Sequence, residues 1–449
     1  MTGSDAASAA GGDKAPAWPP AATAYWGLAM LVVTYALAIL DRVGLGLLVQ
    51  PIEASLHITD AQMGLLQGAA FAVFYAVLGL PMGLVADRAD RRLLIVAGLV
   101  LWSLATMACG LAASFIGLFV ARIFVGIGEA TLTPAGTSMI GDYFPPRIRA
   151  RAFGIFALGT AVGAGTAFLL TGKILQLADY LLAHGPQFLS GMQPWQVVFL
   201  LFGAPGLVLA PIFAATVREP ARLGDAGALG RVSLKPLMAA VAQRRQVYAA
   251  IIVSGTASSI CLYALYGWFP SFLIRVHGWA PADAAHAIGL YGVPCGAVSC
   301  VASGWLVSLV ETRRRGDAPI VVALASFLVI AIGGVLLGLA PTGTVAMAAY
   351  MVLSLALNAP VIGLLTVASR VAPNRLRAQV MALMGLVNSL LSQVLGPFTV
   401  GLLSDNVFGR EKGLGLSIMT VILIVSILAV VSLAWSRRAY AAAIAEIDG

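Results

Sequence analysis

Four charged residues interrupt otherwise apolar stretches of this 449-residue sequence: Asp41 and Arg42 in one, Arg122 and Glu129 in another. A charge at bilayer depth costs about 2.5–3.5 kcal/mol on insertion scales, so such groups are expected to face a cavity and to find partners. Arg122 and Glu129 stand seven residues apart, nearly two helical turns, and so share one helix face. Two acids and two bases sum to zero, which suits a mutually paired cluster at low dielectric. The chemistry open to this set is charge switching and proton carriage. All four histidines (His57, His184, His277, His286) fall in or beside loops, so a proton crossing the interior must ride on a carboxylate, Asp41 or Glu129. A static ion-pair network that only joins two helices is the alternative use of the same residues.

The elements that must position these groups follow from composition. The chain is 60% hydrophobic and 10% charged, with a mean hydropathy of +0.94. That excludes an ordinary soluble domain, disorder and a disulfide-stapled secreted scaffold. Twelve apolar runs are predicted to cross a membrane as helices, near residues 25–49, 62–86, 93–113, 115–141, 150–170 and 197–217, then 247–275, 284–309, 320–340, 344–369, 378–403 and 414–435. Each is too long and too continuously apolar for a barrel strand. The expected fold is therefore an all-α membrane protein. Its parts are a flexible tail (1–23), a six-helix bundle (24–217), a linker (218–246) with a short interfacial helix, a second six-helix bundle (247–436) and a tail (437–449). Residues 1–23 lack the basic start and apolar core of a signal peptide. The four cysteines lie in apolar stretches without metal-ligand spacing and read as packing residues.

The net charge of +8 is explained by topology, without nucleic acid. With the N-terminus inside, 21 Lys and Arg fall on the cytoplasmic side and only Lys173, Arg275, Arg410 and Lys412 outside. That bias predicts both termini in the cytoplasm. The halves also repeat. Arg147-Ile148-Arg149-Ala150 is answered 228 residues later by Arg375-Leu376-Arg377-Ala378, and Gly83-Leu84-Val85 is answered 221 residues later by Gly304-Trp305-Leu306. A duplicated six-helix unit is a mark of secondary transporters.

Gly83-Leu84-Val85-Ala86-Asp87-Arg88-Ala89-Asp90-Arg91-Arg92 lies between the second and third predicted spans. It resembles the loop motif of the major facilitator superfamily, departing from it at Asp90, where the pattern prefers glycine. The resemblance implies two bundles around a central cavity and a cytoplasmic gate formed by Gly83, Asp87, Arg88, Arg91, Arg92 and Asp142, with one of the arginines paired to Asp142. In the second half the motif is degraded, with Ser308 where the acid belongs. A closer likeness is carried by Asp41-Arg42, by Gln62-Met63-Gly64-Leu65-Leu66-Gln67 and by Arg122-Ile123-Phe124-Val125-Gly126-Ile127-Gly128-Glu129-Ala130. Together they resemble the spinster branch, whose members transport lysophospholipids and sphingosine 1-phosphate. What this implies is proton coupling at Asp41 and Glu129, with Arg42 and Arg122 as their switching partners or as headgroup contacts. The small termini and the excess of arginine over lysine fit a bacterial homologue in the inner membrane.

The second-half spans hold no deep charge and offer the cavity Tyr263, Tyr266, Asn358, Asn388 and Gln393. A wall charged on one side and apolar on the other suits an amphiphile. Gly44-x-Gly46 and Gly126-x-Gly128 sit in apolar helices outside any βαβ context, so they are not dinucleotide fingerprints. Gly159-x-x-x-Gly163-x-Gly165 reads as close helix packing, and Pro270, Pro294 and Pro360 as kinks or hinges. The expected function is proton-coupled, rocker-switch transport of a lysophospholipid or sphingoid lipid, by a monomer, with membrane lipids as its surroundings and no cofactor beyond the proton. The alternative is a carrier of drugs or small organic anions. An enzyme is disfavoured because no nucleophile–histidine or metal-ligand set lies in the spans.

Overall fold

A computed structural model describes residues 18–222, 234–313, 317–373, 376–410 and 412–448. The predicted N-terminal tail falls outside these residues up to position 17, as do Arg231, Arg314, Arg315 and Arg375. The described residues are helical throughout, without a strand. Among the described residues, eleven helices are long and apolar enough to cross a membrane. The remaining one, the fifth of twelve, is the 39-residue helix Pro146–His184. It is far longer than the predicted 150–170. Residues beyond Leu170 lose continuous apolarity but hold no proline and, before Gly185, a single glycine at Gly172, so the helix runs on past the apolar stretch. The twelfth likewise continues as one helix to Asp448. The linker forms a short helix, Leu234–Gln243, with Leu237 buried and Met238 exposed.

The duplication is visible in the helix breaks. The fourth span divides into Phe115–Glu129 and Leu132–Tyr143, and the tenth into Gly343–Ala356 and Asn358–Val371. The sequence offset of 228 carries Glu129 onto Leu357, the junction of the tenth. The same offset carries the N-cap Ser114 onto the N-cap Thr342. Carbonyls freed at the tenth-span break are taken up by neighbours: Ser299 Oγ donates to Leu355 O and Ser258 Oγ to Leu357 O, both at 2.6 Å. That is how broken helices survive in a bilayer. The offset of 221 carries Gly68, where the second span breaks, into the wide π turn Ile288–Gly292 of the eighth. Pro294 and Pro360 follow these irregular points, whereas Pro270 lies inside an unbroken helix.

The two bundles meet along glycine-lined seams toward the face opposite the termini. A Cβ on Gly64 of the second span would lie 2.6 Å from Pro397 O of the eleventh, so only glycine permits this backbone contact. Replacing Gly64 with valine is expected to hold this seam open. Distances between spin labels on the second and eleventh spans would show the shift, and an unchanged distribution would refute it.

Candidate functional site

The four interior charges come together as two crossed pairs between the first and fourth spans. Arg42 pairs with Glu129 through both Nε, at 2.8 Å, and Nη2. Arg122 Nη1 lies 3.6 Å from Asp41 Oδ2, too far for a hydrogen bond, and Asp41 instead accepts from Thr106 Oγ1 of the third span at 2.9 Å. Exposure separates the roles. The Arg42 side chain is 14% exposed and Glu129 0%, while Arg122 is 1% exposed. Arg42 therefore faces the central pocket, and Arg122 is sealed behind it.

That pocket is lined by Arg42, Val43 and Gly46 of the first span, Gln67 and Phe71 of the second, Tyr263, Tyr266 and Gly267 of the seventh, and Gln393 and Pro397 of the eleventh. Of the five second-half residues expected there, Tyr263, Tyr266 and Gln393 line it. Asn358 donates to Gly296 O and Asn388 to Ser259 Oγ, bonds that join helices of the second bundle. Gln67 and Phe71 are additions; their spacing of four on one helix face was the available signal.

On the terminal face, Arg91 is fully buried. It donates to Asp142, to Glu219 Oε1 at 2.6 Å, to Ser138 Oγ at 2.9 Å and to Pro220 O at 2.9 Å. Glu219 also accepts from the Arg92 backbone N–H at the start of the third span, and Arg222 donates to Ala86 O and Ala89 O. Gly83 has Pro134 Cβ 3.9 Å from the position of a Cβ, Asp87 is half-buried and Arg88 is exposed. The arginine cluster thus ties the second-to-third loop to the fourth span and to the first residues of the linker. Arg91→Ala takes the guanidinium away from Asp142 and Glu219 and is expected to cost about 3 kcal/mol, read as a lower thermal-unfolding midpoint in detergent. An unchanged midpoint would contradict it. In the second half the motif acid is absent at Ser308, which donates to Gly304 O. An ion pair joins the corresponding places there: Glu311 pairs with Arg370, and the repeat offsets relate them to Asp90 and Asp142, so only the second of the two positions has changed sign.

A second charged cluster, not foreseen from sequence, bridges the bundles on the opposite face. Arg275 of the seventh span holds Glu53 at 2.7 Å and Asp60 at 2.8 Å. Arg410 reaches Asp60 at 3.2 Å and Asp405 at 3.3 Å. Asp405 accepts from the Ala61 backbone N–H at 2.7 Å, placing its charge at the N-terminus of the second span. Burial, and then the neighbouring Asp60 charge, push the Glu53 carboxyl up to about 8 against the pull of Arg275 and Arg410. Two arginines facing three carboxylates leave one negative charge in excess, and of Glu53 and Asp60 it is Glu53 that takes up a proton more readily. The available signal was that Arg275 and Arg410, two of the four basic residues assigned outside, needed acids opposite them.

Residues 31–397 match the Major Facilitator Superfamily. The chain belongs to that superfamily. As a major facilitator it is an integral membrane transporter with twelve helices in two bundles. It is similar to a bacterial homologue of the human lysosomal transporter spinster, solved in an inward-facing, unoccupied conformation, with 28% identity, a TM-score of 0.77 and coverage of 96% of this chain and 98% of that one. It is 26% identical over 405 residues to protein spinster homolog 1 of Xenopus tropicalis, covering 83% of this chain and 71% of that protein. It is also 28% identical over 395 residues to an MFS-type efflux pump of Mycolicibacterium smegmatis, covering 85% of each.

Proposed function

We propose that this major facilitator is a proton-coupled carrier of an amphiphilic lipid with an anionic headgroup, of the lysophospholipid or sphingoid-phosphate type. The observation that carries the reading is Arg42, the one member of the interior charge set that lines the pocket, set among Phe71, Tyr263 and Tyr266. A proton on Glu129 releases Arg42 from its counter-ion, and the freed guanidinium meets the headgroup while the tail lies along the apolar seventh and eleventh spans. Headgroup and proton then favour one another, because each removes the other's competitor for Arg42. Asp41, held by Thr106 beside Arg122, is the second coupling acid.

The basic excess on the terminal face supports cytoplasmic termini in a bacterial inner membrane. With that orientation the Arg275–Asp60 bridges close the external side, and Gly83, Asp87, Arg88, Arg91, Arg92 and Asp142 form the cytoplasmic gate. The similarity to spinster proteins supports lipid cargo. The similarity to an efflux pump supports the second reading, a drug or small organic anion on the same arginine. A monomer is the working assembly.

The test is uptake of a radiolabelled lysophospholipid into proteoliposomes, with and without an imposed pH gradient. Saturable flux that rises with the gradient is expected. No lipid flux from correctly folded protein would overturn the lipid reading in favour of a water-soluble anion.

A further inference from the structure

The guanidinium of Arg42 has, besides Glu129, two partners that carry no charge. Its Cζ lies 4.3 Å from the centre of the Phe71 ring and 4.6 Å from that of Tyr75. The two rings stack on each other at 5.3 Å with an interplanar angle of 22°. The Phe71 ring also lies 5.6 Å from Cζ of Arg122, so one ring serves both interior cations. The placement is built into the backbone. Phe71 and Tyr75 are four apart on one face of the second span. Gly126 of the fourth span brings that helix in: a Cβ there would meet Phe71 O at 2.6 Å. Tyr75 is fixed in turn by its hydroxyl, 3.2 Å from Thr133 Oγ1 just past the fourth-span break.

A buried cation that loses its carboxylate must be solvated by something else. An aromatic face does this where water is excluded, and it does so without competing for a proton. We propose that Phe71 and Tyr75 are positioning residues of the coupling site: their ring faces hold the Arg42 guanidinium at the pocket wall while Glu129 carries a proton, keeping it available to an anionic headgroup. This rests on the reading that Glu129 takes the proton and Arg42 takes the headgroup. The charged and titratable groups facing the pair are Asp41 and Tyr35 of the first span, Tyr75 of the second, Arg122 of the fourth and Tyr263 of the seventh, with Cys109 of the third facing Arg122 and Asp41 behind them. None of them besides Glu129 is an anion in ion-pair contact with Arg42.

The experiment separates ring charge from ring shape. Mono-, di- and trifluorinated phenylalanine at position 71 drain the ring face of electron density and leave its packing nearly unchanged. Thermal unfolding of the full-length protein in detergent gives a readout that needs no substrate. Fluorination is expected to lower the midpoint more in a Glu129→Gln background, where Arg42 has lost its counter-charge, than in the parent. Equal shifts in the two backgrounds would overturn the proposal, because a ring that only packs is indifferent to residue 129. Binding of a fluorescent lysophosphatidic acid at pH 5 supplies the second arm. Phe71→Leu and Tyr75→Leu are expected to raise its half-saturating concentration about 5- to 30-fold. Phe71→Tyr and Tyr75→Phe should stay within about 2-fold of the parent. Lysolipid binding that ignores ring electron density overturns the positioning role. No lysolipid binding by the parent, with the thermal coupling intact, overturns the cargo reading and supports the role of the rings.

Discussion

In Glu129→Gln protein, a pH gradient of one unit no longer accumulates substrate. One proton moving down that gradient supplies about 1.4 kcal/mol, enough for an accumulation ratio of about ten in the parent. In the variant the ratio falls to about one. Glutamine keeps the shape of residue 129 and can still offer an oxygen to Arg42, so the cluster remains assembled and the protein folds. What is lost is the exchange between a charged and a neutral state that gives Arg42 two partners to choose between. Downhill flux is therefore expected to persist while concentrative flux disappears. Asp41→Asn should behave similarly if the second acid is also a proton carrier. If only Glu129→Gln uncouples, then Asp41 serves to hold Arg122 and Thr106 in place. A ratio near ten in both variants would leave the four charges as a structural network between the first and fourth spans. The parent ratio is measured in the same vesicles, so the comparison is independent of which headgroup proves best.

The fold was legible because bilayer physics writes it in a coarse alphabet: long apolar runs, a basic excess on one face and two recurring loop signatures. The four interior charges were legible for the same reason, since each is costly where it stands. Their pairing was not. Asp41 and Arg42 are adjacent on a helix and so point about 100° apart, toward different neighbours. Arg42 therefore reaches along the fourth span to Glu129, while Asp41 turns to the third span and Thr106. The end of the fifth helix was misjudged because hydropathy marks where apolarity stops, and this helix continues beyond it to His184. The Glu311–Arg370 pair was hidden because the motif puts its acid at Ser308, whereas the second half carries an acid at Glu311 and a base where the first half has Asp142. Asn358 and Asn388 were polar groups of unknown direction, and a sequence does not say which side of a helix meets a neighbour and which a pocket. Glu53, Asp60 and Asp405 stood at helix ends, where acids are common and inexpensive, so nothing in their positions singled them out.

Those three acids lead to the prediction with the largest conformational effect. Arg275 joins both Glu53 and Asp60, and Asp60 is fully buried. Removing one partner of a buried pair costs about 3–5 kcal/mol, because the other is left charged without compensation. Arg410 and Ser404 still hold Asp60 in Arg275→Ala, so the lower end of that range applies, and because the acids recover solvent if the seam opens it is expected as a shift from closed to open of about two orders of magnitude. Spin labels on the second and eleventh spans would report it as loss of the short-distance population, and retention of that population would refute the latch. Arg275→Lys keeps the charge but lacks the fork that grips two carboxylates, so it should fall between parent and alanine. Acid works in the opposite direction. The Glu53 carboxyl is at about 8 in the closed seam against an ordinary 4.5, so the closed state binds the proton more tightly than an open one. That contribution is fully present below the ordinary value and is lost as pH rises through about 8. The closed population of the parent should therefore decline between about pH 5 and 8. In Glu53→Gln, which mimics the protonated acid, the closed population should stay high across the same range. A parent whose distances do not respond to pH, or a Glu53→Gln variant that responds as the parent does, would show that the proton shared among these acids lies elsewhere.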